Sequence, residues 1–357
     1  MKVSKTTIFL TIFLPVQYFL VQFLSQQPNW IEVYFSNGFF PIISKILRSL
    51  LGWIPFSFGD VIGFLLLFLF LKNCYQLVKS KCKNLVPKLL TFIAYVSVIY
   101  FCFYAFWGLN YFRKPLAEKL DLQLSNYTTE QLYKTTDTIV SLLNNSHLTI
   151  TKNDTVKVVI PYSINDIYHL APQGFAELSK TYPEFMYSSS SIKNSLVSLF
   201  HAYNSTSGYL NPITGEAHVN YLIPKNGVPT TTCHEMAHQI GWAAENDANF
   251  IGFLTAIKNK NLYFKYAGYR MAYQYCIGEL NERDNVLAKT LKEKVNKGVY
   301  KDYHDSYLFW KSYENPIEPY IKKGYNAYLK ANNQVNGINS YNYVVDLLIA
   351  YFEKTKH

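Results

Sequence analysis

Charge is what this chain has least of. Asp, Glu, Lys and Arg make up 16% of its 357 residues, against roughly 25% in soluble domains. A chain so poor in charge cannot cover its whole surface with ionised groups, and the deficit points to a membrane. Cysteine is scarce too: five residues, at 74, 82, 102, 233 and 276, with no CxxC among them. That excludes a disulfide framework, and the spacing leaves open whether Cys233 and Cys276 pair. No internal repeat is present.

The net charge of +10 would suit a nucleic-acid partner if it were spread over a polar domain. Residues 1–110 instead hold nine basic side chains against Glu32 and Asp60, +7 of the total, and the other 247 residues hold only +3. A basic excess confined to an apolar segment is a signal of membrane topology, so nucleic acid is excluded as a partner.

Three apolar runs, at about 6–24, 53–71 and 89–109, dominate that segment; the first and third carry no charge, and the second only Asp60. Each matches the ~20 residues a helix needs to cross a bilayer. The MKVSK start resembles the basic end of a signal peptide. The run behind it closes on FLSQQ, without a small-x-small cleavage site, so it is expected to remain as an anchor. The loop KNCYQLVKSKCKNLVPK carries five Lys and no acid, and with Lys2 and Lys5 it is expected to stay cytoplasmic. Lys45 and Arg48, in the first external loop, oppose this without reversing it. Three spans then divide the chain into a membrane domain, 1–110, and an outer domain, 111–357, on the periplasmic side of the inner membrane.

The outer domain reads as α+β, mostly helical, with a small β-sheet. Thr128 and Gln131 are spaced as a capping box for a helix over TTEQLYKTTDTIVSLLNNS. Strands are expected at DTVKVVIPY and at 216–223. Helices are expected at 163–182, 230–241, 244–258, 261–296, 303–331 and 340–354.

The stretch TTTCHEMAHQIGWAAENDANF, residues 230–250, carries the chemistry. With 8 His, chance gives roughly 0.007 matches to HExxH in a chain of this composition. On a helix capped by Thr230–Thr232, His234 and His238 stand one turn apart on one face, where both imidazoles reach one Zn²⁺. Glu235 points about 100° away, the position of a general base for a metal-activated water. The third ligand is less plain. The slot six residues past His238 is Ala244, and on an unbroken helix Glu245 would lie ~10 Å along the axis. A break at Gly241 would let the chain return, giving Glu245 as first choice, with Asp247 or the more distant Glu279 as alternatives. A break also puts Glu245, Ala248 and Asn249 on one face of the next helix. NPITGEAHVNYLIP lies ten residues before His234, placed to serve as an edge strand for extended substrate or as a plain core strand. Tyr269, Arg270 and Tyr275 are candidates to stabilise an oxyanion, and equally packing residues.

Glu245-Asn246-Asp247-Ala248-Asn249 resembles the second motif of gluzincin zinc peptidases, E-x-x-A-D or E-x-x-A-N. The resemblance implies Glu245 as ligand, with Asn249 and Asp247 supporting the ligands from behind. It departs in spacing: gluzincins separate the two motifs by twenty residues or more, and here six intervene. Trp107–Arg113, Asn211–Ala217, Cys233–Gly241, Glu245–Phe250 and Gly337–Ala350 also resemble a bacterial family of three-span membrane proteins described as a domain of unknown function. Together these imply a membrane-anchored zinc metallopeptidase acting on protein or peptide. The alternatives are a non-catalytic membrane-tethered interaction protein of zincin fold and a zinc hydrolase of non-peptide cell-envelope material. An intramembrane protease is set aside, because the flanks TTTC and QIGWAAENDANF are too polar for a span.

Overall fold

The computed structural model describes residues 3–80, 83, 85–124 and 126–355; Lys2, Lys81 and Cys82 lie outside the described residues. Among the described residues, three helices are long and apolar enough to cross a membrane: α1 (Lys5–Ser25), α3 (Phe58–Lys79) and α4 (Leu85–Phe106). The second starts five residues later than expected because Ser57 caps it, its Oγ accepting from Asp60 N. Thr11 Oγ1 donates to Leu90 O at 3.0 Å and Gln17 Nε2 to Ser97 Oγ at 2.8 Å. Those pairings advance together along the chain, so α1 and α4 run parallel, with Lys5 and Lys88 at one end and Ser25 and Phe106 at the other.

The stretch between the first two spans is not a loop. A π-helix (Ile31–Phe39) runs into α2 (Phe40–Leu51), and both are built into the domain that follows. Ser44 Oγ donates to Gln239 O at 2.7 Å, Ser36 Oγ to Asn110 Oδ1 at 2.9 Å, and Arg48 Nη1 to Ser188 O at 2.6 Å. Glu32 is buried against Arg113, with Nη2 to Oε1 at 3.0 Å. Burial would raise the Glu32 carboxyl, but Arg113, Lys119 and Asn37 hold it down at about 2.

The rest is a helical body around one apolar core. Its helices are α5 (Thr129–Thr151), α6 (Ile164–Leu170), α7 (Pro172–Leu178), α8 (Ser198–Tyr203), α9 (Val228–Gln239), α10 (Glu245–Lys258), α11 (Leu262–Arg283), α12 (Asn285–Lys294), α13 (Lys297–Lys311), α14 (Glu318–Ala331) and α15 (Val344–Lys354). The Thr128–Gln131 capping box is formed. Expected helix 261–296 is two, because the Asp284 side chain accepts from Val286 N and Leu287 N and starts α12 afresh. Expected helices 163–182 and 303–331 are likewise each two.

DTVKVVIPY is not a strand. Val158 and Ile160 are buried and Lys157 and Val159 exposed, so the alternation is real, yet it lies against helices. Val156 O bonds His147 Nε2, and Val158 N donates to Asp302 Oδ2. Side chains thus take the backbone groups a neighbouring strand would have used. The sheet has three short strands, β1 (Ile192–Asn194), β2 (Gly208–Leu210) and β3 (Ala217–Val219), in order β1-β3-β2, with β1 parallel and β2 antiparallel to β3. Expected strand 216–223 therefore supplies its central strand, at Ala217–Val219, and not an edge; the edges are β1 and β2.

Candidate metal centre and cleft

Helix α9 begins at Val228, with Pro229 in its first turn. Thr230 and Thr232 are inside it and not at its cap; their hydroxyls donate back to Gly227 O and Val228 O. It packs across α10 at Gly252, where an added Cβ would lie 3.3 Å from His234 N. That close crossing brings the start of α10 beside the last two turns of α9.

The turn between them depends on Gly241. Its φ is +92°, in the left-handed region that favours glycine. Gly241 N donates to His238 O and Trp242 N to Ala237 O, the paired bonds of a Schellman cap. Arg113 lies 3.7 Å from the Trp242 ring and donates from Nη1 to Gly241 O at 2.9 Å. The chain reverses, Ala244 is extended, and α10 opens at Glu245.

Glu245 Oε2 then lies 3.3 Å from His234 Nε2 and 3.5 Å from His238 Nε2. Ligands ~2.1 Å from a tetrahedral ion are ~3.4 Å apart. Both distances match one edge of a zinc-sized tetrahedron, and the two imidazole rings stand 4.6 Å apart, centroid to centroid. His238 Nδ1 lies 2.6 Å from Trp242 O, a carbonyl that can only accept, so in the neutral ring Nδ1 carries the proton and Nε2 the lone pair a cation would take. Glu245 Oε1 accepts from Tyr325 OH at 2.8 Å, while buried Oε2 has no hydrogen-bond partner among the described residues. These donors fit a divalent ion. Without one, burial would raise Glu245, but His238 and His234 hold it well below the carboxylate range. Burial lowers His238, and Glu245 outweighs it, lifting the imidazole to about 9. A bound cation would displace that proton.

Glu235 is buried on the sheet side of α9. Burial raises its carboxyl to about 7 against the pull of the two histidines, within the range of a general base working at neutral pH. An added Cβ on Gly208 would come 2.6 Å from its Oε1, so the β2 backbone passes directly beside it. Ser207 O accepts from Asn220 N, and Asn211 N donates to Glu216 O. By the antiparallel alternation, Tyr209 bonds β3, while Gly208 and Leu210 turn their N–H and C=O groups to the open edge. That edge lines a cleft of about 1080 Å³ which also contains His234, Glu235, His238 and Glu245.

The remaining candidates lie elsewhere or play other parts. Asp247 accepts from Leu116 N and from Asn246, turned away from the histidines, and burial raises it to about 7. Glu279 binds Arg283 and Tyr127. Asn249 donates to Tyr275 OH at 3.1 Å, and both line the cleft. Arg270 also lines it, over the Tyr303 ring, whereas Tyr269 packs on Phe253. Cys233 and Cys276 are both free and buried. Two site residues were not anticipated. Tyr325 comes 80 positions after Glu245, and Trp107 Nε1 donates to His238 O at 3.1 Å. Nothing in the sequence marked the first, and the second was marked only as the start of the Trp107–Arg113 segment.

Residues 35–349 match the family described as "Protein of unknown function (DUF3810)". The chain belongs to this family. The DUF3810 match begins in the π-helix and ends in α15, so it takes in α2, two spans, the sheet and the whole cleft as one unit. Among curated proteins and among solved structures, none matches the chain significantly.

Proposed function

We propose that this protein is a membrane-anchored zinc-dependent peptidase of zincin type, with residues from about 111 onward on the periplasmic side. One observation carries the reading: Glu245 Oε2 stands 3.3 and 3.5 Å from the two imidazole Nε2 atoms, and a carboxylate oxygen of Glu235 and a nitrogen of each imidazole also lie within 4.8 Å of one another. His234, His238 and Glu245 would hold the ion, with Tyr325, Trp242 and Asn249 steadying the ligands or their helix from behind. Zn²⁺ bound there would supply Lewis acidity, polarising a peptide carbonyl and acidifying water. Glu235 takes the proton from the attacking water and delivers it to the leaving amine. The open edge of β2 pairs with extended peptide, its Gly208 and Leu210 groups fixing the strand alongside Glu235. Tyr275 and Arg270, in the cleft wall, are the donors available to a developing oxyanion. The lysine-rich inner ends of the spans support the orientation; a reporter fused after residue 357 that is active only in the cytoplasm would overturn it.

The test uses the full chain, since α2 is part of the domain. Purified wild type and Glu235→Gln are assayed for bound metal and for hydrolysis of unfolded proteins. The expected result is one zinc per chain in both, with turnover only in the wild type. Stoichiometric zinc without Glu235-dependent hydrolysis of protein would favour a binding role or a non-peptide substrate. Absence of zinc would overturn the whole reading.

A further inference from the structure

The site has no stalk. The spans are 21, 22 and 22 residues long, ~32 Å each, against ~30 Å of hydrocarbon. By length their outer ends fall at the membrane boundary, and two of them, α3 and α4, run straight into the site. Span α4 ends at Phe106, and the next residue is Trp107, which bonds the carbonyl of His238. Tyr104, in the last turn of that span, donates to Asn332 Oδ1 just past α14, the helix that carries Tyr325. Span α3 begins at Phe58, and its first two N–H groups are taken by the Glu216 carboxylate, at 3.1 and 2.6 Å, immediately before β3. Asp60, in the same turn, accepts from Leu196 N at 2.7 Å and from the hydroxyl of Tyr209 on β2. The strand that passes Glu235 is thus tied to the first turn of a membrane helix.

A second observation fixes the level of the bilayer. Trp53 is 79% exposed, and Phe56, Leu196, Leu199 and Phe200 are also exposed. They flank the start of α3, where Leu196 is held by Asp60. Such a collar of aromatic and aliphatic side chains around the mouth of a span belongs in the membrane interface. Helix α8, which carries two of them, leads directly into Asn204–Gly208, the rim of the cleft.

We propose, building on the peptidase reading, that the cleft takes polypeptide emerging from the same bilayer and cuts it close to the membrane surface. One indole and one imidazole separate the end of α4 from the metal position, on the order of 10–15 Å. A substrate leaving the membrane reaches that far in about three to five extended residues, at ~3.4 Å each. The bilayer covers the near side of the cleft, which hinders a folded soluble protein and admits a chain already anchored there.

The experiment embeds the full-length protein in phosphatidylethanolamine–phosphatidylglycerol nanodiscs with a single-span probe. The probe carries a randomised unstructured tail of about 30 residues, ~100 Å when extended. The same tail is supplied as a free peptide, with Glu235→Gln as the control, and cut positions are read by mass spectrometry. The expected result is Glu235-dependent cleavage confined to the first five or so residues outside the membrane and at least tenfold slower on the free tail. If the free tail is cut equally well, or cuts spread evenly along the tethered one, the membrane-proximal proposal fails while the peptidase reading stands. If neither tail shows Glu235-dependent cleavage, both fail.

Discussion

Gly241→Ala tests the turn that assembles the trio. At φ +92° any L side chain is strained, at about 1–3 kcal/mol. The added methyl would also sit 2.8 Å from the Phe40 ring and 3.1 Å from Asn110 Oδ1. Both neighbours are buried, and Asn110 is held by Ser36 and by its own bond to Trp107 O, so the turn must move and not its surroundings. Glu245 is four residues beyond. A displacement of ~1 Å there spoils ligand–ligand distances that need to stay near ~3.4 Å. The expected outcome is a protein that still folds, destabilised by about 2 kcal/mol, with zinc affinity reduced at least 10–100-fold, the loss typical when ligand orientation is disturbed. Competition against a chromogenic chelator measures the affinity and thermal unfolding the stability. An Ala variant that binds zinc as tightly as the wild type would refute the claim that this turn places the third ligand.

Three further outcomes follow from the same geometry. Gly208→Ala pushes on Glu235 and not on the trio, so zinc content should be unchanged while turnover falls at least tenfold; parallel losses of both would contradict the separation of base from ligands. Tyr325→Phe removes the 2.8 Å bond to Glu245 Oε1 and should weaken zinc binding 10–100-fold with little change in unfolding temperature. Glu32, held at about 2 in the folded state, stabilises the fold above its unfolded value near 4.3 by on the order of 3 kcal/mol. That stability should fade as pH drops from about 5 toward 2, and denaturant titrations of Glu32→Gln should lack this part of the slope.

The secure sequence features were those whose physics is local. Apolar length fixed the spans, the i, i+4 spacing put His234 and His238 on one face, and the Thr128–Gln131 capping box formed as spaced. The return of Glu245 was also within reach of the sequence, because a glycine three residues past the second histidine permits the reversal that the intervening six residues make. Tertiary choices were not legible. DTVKVVIPY alternates as a strand does, but Asp302 and His147, far away in the chain, take its backbone bonds. EAHVNYLI was rightly β-prone, yet its place at the centre of the sheet depends on β1 and β2, each three residues long and without a pattern of its own. The π-helix and α2 read as an external loop because their partners, Gln239, Asn110 and Arg113, come from beyond the third span. Tyr325 and Trp107 reach the site from opposite ends of the family unit, and no local spacing joins them to it.

The most direct test of the central claim is X-ray absorption at the zinc edge of the purified full-length protein. The account predicts two imidazole nitrogens at ~2.0–2.1 Å and the remaining ligands oxygen at ~2.0–2.2 Å. A spectrum with a sulfur at ~2.3 Å, with one or three imidazoles, or with no bound zinc to measure would contradict it.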